Sequence, residues 1–186
     1  MSMFPIASQT LTSPSATITF SGIPSTFTHL QLRYFVRGTT TNRSESVLWQ
    51  MNGYSSNGNY TRHTLWGEGG TASSGADTNS NGGILQMPSG GTASNIFGVG
   101  IIDILDYANT NKNKTLRTIG GYDSNGASNG QDYQYIGINS NLAITQATAA
   151  TTSVTLTCYV YAGGSGFATG STVQLYGIST SSVTGA

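Results

Sequence analysis

Apolar and polar side chains alternate with a period of two residues through most of this chain, and no helical period lasts for two turns. Such runs, bounded by Gly, Pro, Asn and Ser, are typical of β-strands. Ten to eleven short strands are predicted in this way, at residues 16–20, 28–37, 46–52, 60–66, 83–87, 96–107, 115–122, 133–139, 142–146, 153–162 and 172–178. Because no helical segments separate them, the pattern favours an all-β fold, an antiparallel β-sandwich of jelly-roll type.

The run 28–37 shows how the faces are assigned. Leu30, Leu32, Tyr34 and Val36 alternate with polar residues, so they are predicted to share the face that packs on the core. Phe35 interrupts the polar face of the same strand. That side is therefore expected to meet a partner or a loop.

The organisation predicted along the chain is a single β-sandwich domain over residues 1–186. Residues 1–15 are expected to form an N-terminal arm. Three polar stretches, 67–83, 88–95 and 123–131, separate the predicted strands, and loops of such length are usually functional or disordered. The first is expected to be a long loop excursion that is ordered only where it meets a neighbour.

Composition changes this picture in one respect, which is the scarcity of charge. Gly, Ser, Thr and Asn account for 90 of 186 residues, and charged residues make up 8%, with a net charge of zero. A basic stripe for nucleic acid is missing, and the tightest cluster, Lys112, Lys114 and Arg117, is predicted to be a solvated turn. Since no basic leader and no apolar run of about 18 residues is found, neither secretion nor a membrane is expected.

Motifs for nucleotide and calcium binding are incomplete. The glycine-rich stretch before the last strand has Ser171 where a phosphate-binding loop needs lysine, and a strand pattern follows it instead of a helix. Residues 77–82 match the first half of a calcium-binding EF-hand loop, but Pro88 replaces the closing glutamate. No metal and no cofactor are predicted, and a calcium ion at 77–82 is left as an open question.

Candidates for catalysis are equally weak. Asp103 and Asp106 are three residues apart on a predicted strand, so their side chains should point to opposite faces. His29 and His63 have no nucleophile or carboxylate at a catalytic spacing. The single cysteine, Cys158, is predicted to be a buried structural thiol, because no basic residue lies near it in sequence. The sequence therefore predicts no catalytic residues and no enzyme.

One aromatic group carries the remaining candidate site. Trp49, Tyr54, Tyr60 and Trp66 lie close together in sequence beside Arg62 and several asparagines. Aromatic rings with amides and arginine suit carbohydrate stacking, and they suit a subunit interface or a core equally well. Core or interface use is favoured over glycan contact, because aromatic side chains dominate cores and interfaces.

Four phrases of the chain resemble a known family. ITFSGIPSTFTHLQLRYFVRG, MNGYSSNGNYTRHTLWG, IIDILDYANTNKNKTLRTIGGYD and FATGSTVQLYGI are similar to small β-sandwich virion proteins of tailed bacteriophages. These are structural phrases without a catalytic motif, so no functional residue is carried over. The resemblance implies a virion component, assembled in the host cytoplasm, that acts as head decoration or as a tail appendage.

Two functions follow from this resemblance. The first is a capsid decoration or cement subunit, expected to be a homo-oligomer such as a trimer, whose partners are other virion proteins such as the major capsid protein. The second is a tail-fibre or receptor-binding module that recognises a host surface glycan. The start of the strand pattern near residue 16 leaves no room for a fibre shaft in this chain and favours decoration.

Overall fold

The computed structural model describes residues 2–54, 59–80, 83–124, 134–143, 148–159 and 166–179. These ranges form twelve β-strands, and no helix occurs within them. The strands are β1 (Ser2–Thr10), β2 (Thr17–Phe20), β3 (His29–Val36), β4 (Ser44–Met51), β5 (Tyr60–Glu68), β6 (Thr71–Ser80), β7 (Gly83–Pro88), β8 (Gly98–Ile104), β9 (Thr115–Asp123), β10 (Gln134–Ala143), β11 (Val154–Tyr159) and β12 (Thr172–Ser179).

The strands form two antiparallel sheets. The large sheet has eight strands in the order β1-β12-β3-β8-β9-β10-β5-β6, and the small sheet has four in the order β2-β11-β4-β7. Strand β7 packs against β9 and β10, which places the small sheet over the middle of the large one. The predicted fold class is confirmed: the chain is an all-β antiparallel sandwich of jelly-roll type.

The core lies between the two sheets and is made by the alternation seen in the sequence. Leu30, Leu32, Tyr34 and Val36 of β3 are all buried, as predicted. Gly100 and Gly120 lie beside Tyr34 and leave room for its ring. A methyl group at Gly100 would lie 2.1 Å from the Tyr34 ring, and one at Gly120 would lie 2.8 Å from its hydroxyl. A large ring over small neighbours therefore fills this layer of the core.

The end of the sandwich is closed by Phe167, which is fully buried and bridges to Ser15 and Gly38. The preceding Gly166 has a φ of 110°, a backbone conformation that favours glycine. On the last strand, Val173 and Leu175 face the core.

Two predicted irregular segments are strands. The N-terminal arm is largely β1, which pairs along its length with β12, and the predicted loop 67–83 is mainly β6, which pairs with β5. Neither strand has a run of alternating large apolar residues, so its order comes from hydrogen bonds to a neighbour. Strand β10 runs without a break through Gln134–Ala143, so the strand predicted at 133–139 continues into the start of the one predicted at 142–146. Residues 144–147 lie outside the described residues.

No helix in the described part of the chain is long and apolar enough to cross a membrane.

Candidate interaction surface

Two of the aromatic candidates are core residues. Trp49 and Tyr60 are 1% and 0% exposed and meet edge to face, with ring centroids 5.6 Å apart. The backbone N–H of Met51 donates to the Tyr60 hydroxyl at 2.9 Å, and burial raises the pKa of Tyr60 to about 12. Both side chains are therefore enclosed by the sandwich, which is the core use favoured from the sequence, and neither ring is exposed for contact with a glycan or a partner.

The other three candidates lie nearer the surface. Tyr54 and Trp66 are half-buried and pack against the core. A methyl group at Gly75 would lie 3.4 Å from the Trp66 indole, so the ring rests on the backbone of β6. Arg62, on the same face of β5, lies 3.6 Å from Asp77. Glycan contact by these three residues stays a prediction.

A larger apolar surface is found on the outer side of the eight-stranded sheet. Register aligns two rows of outward side chains across five adjacent strands, β3, β8, β9, β10 and β5. The first row is Arg33, Ile101, Ile119, Ile138 and Leu65, and the second is Phe35, Val99, Gly121, Ile136 and Gly67. We call these ten residues the outer face.

The large apolar residues of the outer face are well exposed. Leu65, Ile136 and Val99 show 61%, 59% and 53% of their surfaces to solvent, and Phe35, Ile119 and Ile138 show 44–48%. Isolated exposed apolar residues are ordinary, but a contiguous patch of them marks an interaction site. The outer face is therefore the strongest candidate site of the described residues.

The relief of this surface is uneven. A depression of about 890 Å³ lies among Val99, Ile119, Gly121, Ile136 and Gly67, where the two glycines leave the backbone uncovered. A second depression of about 610 Å³ lies beyond the first row, among Leu65, Ile138 and Arg117.

Two stacked aromatic rings lie at one end of the outer face. The ring of Phe35 stacks on Phe97 with centroids 4.8 Å apart and an angle of 13° between the planes. The surface thus combines a stacked pair of rings with a hollow floored by glycine.

Polar side chains at the rim of the outer face bind one another. Arg117 donates to Asp103 at 3.0 Å, and Gln31 donates to the other oxygen of Asp103 at 2.8 Å. The guanidinium of Arg33 lies 5.5 Å from the centre of the Tyr176 ring. The surface therefore offers an apolar centre with a neutralised polar rim, which is the usual anatomy of a protein interface.

The lysine cluster differs from the prediction of a solvated turn. Lys114 is 1% exposed, and its Nζ donates to the carbonyl oxygens of Asn109 and Lys112. Lys112 is exposed and donates to Asp106 at 2.7 Å, which holds the pKa of Asp106 below its usual value. Lys114 is buried because the turn around residues 109–112 wraps its carbonyl groups about the amine.

The other residues considered for catalysis lie in structural positions. Asp103 lies in β8, whereas Asp106 lies beyond the strand in a turn, with a φ of 49°. The backbone N–H of Asp106 donates to Nδ1 of His29 at 2.9 Å. Cys158 is buried as predicted, and burial raises the pKa of its thiol to about 12. Among the described residues, no group of three or more His, Cys, Asp or Glu side chains could hold a metal ion.

The calcium question stays open, because residues 81–82 of the 77–82 segment lie outside the described residues. Most of the polar stretch 123–131 lies outside them as well.

Sequence reasoning found the outer face only in part. Phe35 was recognised because it interrupts a polar face, but the other members lie on five separate strands. Isoleucine occurs on both faces of β8, as in Ile101 and Ile102, and this two-sided apolar pattern is a signal that could have indicated a partner.

Comparisons with known proteins leave the family open. No protein-family model matches the chain, and no curated protein matches it. Among solved structures, a galectin from Caenorhabditis elegans aligns over 95% of both chains at 8% identity, with a TM-score of 0.31. An alginate lyase from the marine animal Aplysia kurodai aligns over 90% of this chain and 80% of its own, at 13% identity and a TM-score of 0.32. These scores are too low to support an argument about function.

Proposed function

We propose that this protein is a structural subunit of a tailed-bacteriophage virion, most simply a head decoration or cement subunit. It works by contact and not by catalysis, joining other virion proteins into a more stable shell. The observation that carries the proposal is the outer face, a broad apolar surface at whose rim Arg117 and Asp103 are already paired. The resemblance of four long phrases to phage virion proteins supplies the context.

The low charge of the chain supports the same function. With 8% charged residues and a net charge of zero, copies repel one another weakly, which favours close-packed assemblies. Apolar contacts between such subunits and a capsid need no ion pair and therefore depend little on salt. A subunit of this kind stabilises a shell through the area that it buries.

The test is made on virions of the phage that carries the gene. Particles with and without the protein are heated, and DNA release is followed with an intercalating dye. The proposal expects hundreds of copies per particle, located on the head, and earlier DNA release when the protein is missing. Unchanged release temperature, together with only a few copies per particle, would contradict a cement role.

The second candidate is a receptor-binding module for a host glycan. It is favoured by Trp66 and Arg62, which lie on the same face of β5 beside the edge strand β6, where the indole rests on Gly75 and Arg62 lies 3.6 Å from Asp77. If this function is correct, Trp66→Ala reduces adsorption of virions to host cells while the melting temperature stays within a few degrees. Tyr60→Ala is unsuited to this test, because Tyr60 is buried and its loss would unfold the chain.

A further inference from the structure

We infer that the outer face binds a second copy of this chain, sheet against sheet, about a two-fold axis that runs along β9. The inference rests on the proposed function only in treating the outer face as an interface, and it names the partner. It also replaces the predicted trimer with a pair, because two identical faces can meet only through a two-fold axis.

Shape is the first argument. β9 is the middle one of the five strands of the outer face, so a two-fold axis along it places β3 of one copy opposite β5 of the other. Phe35 then lies opposite Gly67 of the second copy, since both belong to the same cross-strand row. The Phe35 ring of each copy would thus lie over the hollow floored by Gly67 and Gly121 in the other copy, once on each side of the axis.

The rest of the same row matches as well. Val99 comes opposite Ile136 of the other copy, and Gly121 comes opposite itself. In the neighbouring row, Ile101 meets Ile138 and Ile119 meets its own counterpart on the axis. Every large apolar side chain in the centre of the face therefore gains an apolar neighbour at the usual separation of packed sheets, about 10 Å.

Area is the second argument. The seven strands from β12 to β6 span about 29 Å at about 4.8 Å per spacing, and strands of seven to ten residues are about 23–33 Å long. This contact takes in the outer face as its centre and the outer sides of β12 and β6 as its rim, and its projected extent of roughly 700–900 Å² per copy is close to what one partner contributes to a stable interface. A small ligand would leave most of this surface in water.

Charge is the third argument. A partner recognised by charge would need an unbalanced patch, but Asp103 is already bound by Arg117 and Gln31. Arg117 lies on β9, so it meets Arg117 of the second copy on the axis, and each guanidinium stays bound to Asp103 of its own chain. At the ends of the same sheet Arg33, whose guanidinium lies over the Tyr176 ring, comes opposite Leu65, so the like charges that meet are each compensated within their own chain.

The experiment measures the mass of the purified chain by sedimentation over a range of concentrations. The wild-type protein is expected at about twice the single-chain mass of 19.3 kDa. Ile119→Asp places two carboxylates against each other on the axis and is expected to shift the protein to monomer. Thr19→Asp, on the exposed face of β2 in the small sheet, is the matched control and should leave the pair intact.

Cross-linking tests the geometry independently. Because sheets about 10 Å apart are too far for a direct disulfide, a short bis-maleimide reagent is used: Ile119→Cys is expected to cross-link between copies, whereas Thr19→Cys is not, and the buried Cys158 stays unreacted. Circular dichroism establishes that each variant is folded, which is expected because Ile119 and Thr19 are both exposed. If Ile119→Asp fails to fold, Ile119→Cys still decides the matter.

A wild-type monomer at high concentration, a trimer, or equal cross-linking at both positions would overturn the inference. The outcome is separable from that of the proposed function. A pair that forms in solution but is missing from virions removes the virion proposal and leaves the pairing. A monomer that binds capsids supports the virion proposal and overturns the pairing.

Discussion

Replacing Lys114 by methionine tests whether one buried amine holds together the turn after β8. The Lys114 Nζ donates to the carbonyl groups of Asn109 and Lys112 and, at 3.5 Å, to that of Thr148. Methionine keeps most of the side-chain volume and removes all three donors. The carbonyl groups then lose a charged partner, while the cost of burying the charge disappears.

The magnitude follows from these contacts. Hydrogen bonds to charged groups contribute about 1.5–3 kcal/mol each. The methionine variant no longer has to bury the charge of the Lys114 amine, and this gain offsets part of the loss. Lys114→Met is therefore expected to lower the free energy of unfolding by about 3 kcal/mol. For a chain of this size that equals a fall of about 6–12 °C in melting temperature.

Lys112→Met is the matched control, two residues away. Its side chain is 62% exposed and its amine bridges to Asp106, so its loss should cost less than about 1 kcal/mol. Urea unfolding followed by tryptophan fluorescence gives both values from midpoint and slope. Equal losses for the two variants, or a loss below about 1 kcal/mol for Lys114→Met, would refute the reasoning.

Two further predictions concern buried groups. The Tyr34 hydroxyl is buried without a hydrogen-bond partner among the described residues, so Tyr34→Phe should keep or raise the melting temperature. Tyr60→Phe, which loses the bond from Met51, should lower stability by about 1 kcal/mol, and the opposite order would contradict this account. Burial raises the pKa values of Cys158, Tyr60 and Tyr135 to about 12, from 9.0 for the thiol and 10.0 for the phenols. The native state therefore keeps protons that the unfolded chain releases, so their stabilisation is full below about pH 9 and is lost as the pH rises towards 12. Unfolding at stepped pH checks this, and constant stability from pH 8 to 12 would show the account to be wrong.

The sequence alone determined the fold class and the faces of the central strands. In β3 and β11, large apolar residues alternate with polar ones, and a strand turns successive side chains to opposite faces whatever its neighbours are. Leu32 and Cys158 were therefore placed in the core correctly. This information is local, so it can be read from consecutive residues.

The tertiary structure decided what depends on neighbours distant in sequence. Strand β6 has almost no apolar signal and is ordered by hydrogen bonds from β5, and Lys114 is buried by carbonyl groups that include one 34 residues away. Ile119 belongs to an apolar surface only because register sets it between Ile101 and Ile138. Strand order and register are properties of pairing across the sheet, and alternation along one strand carries no record of them.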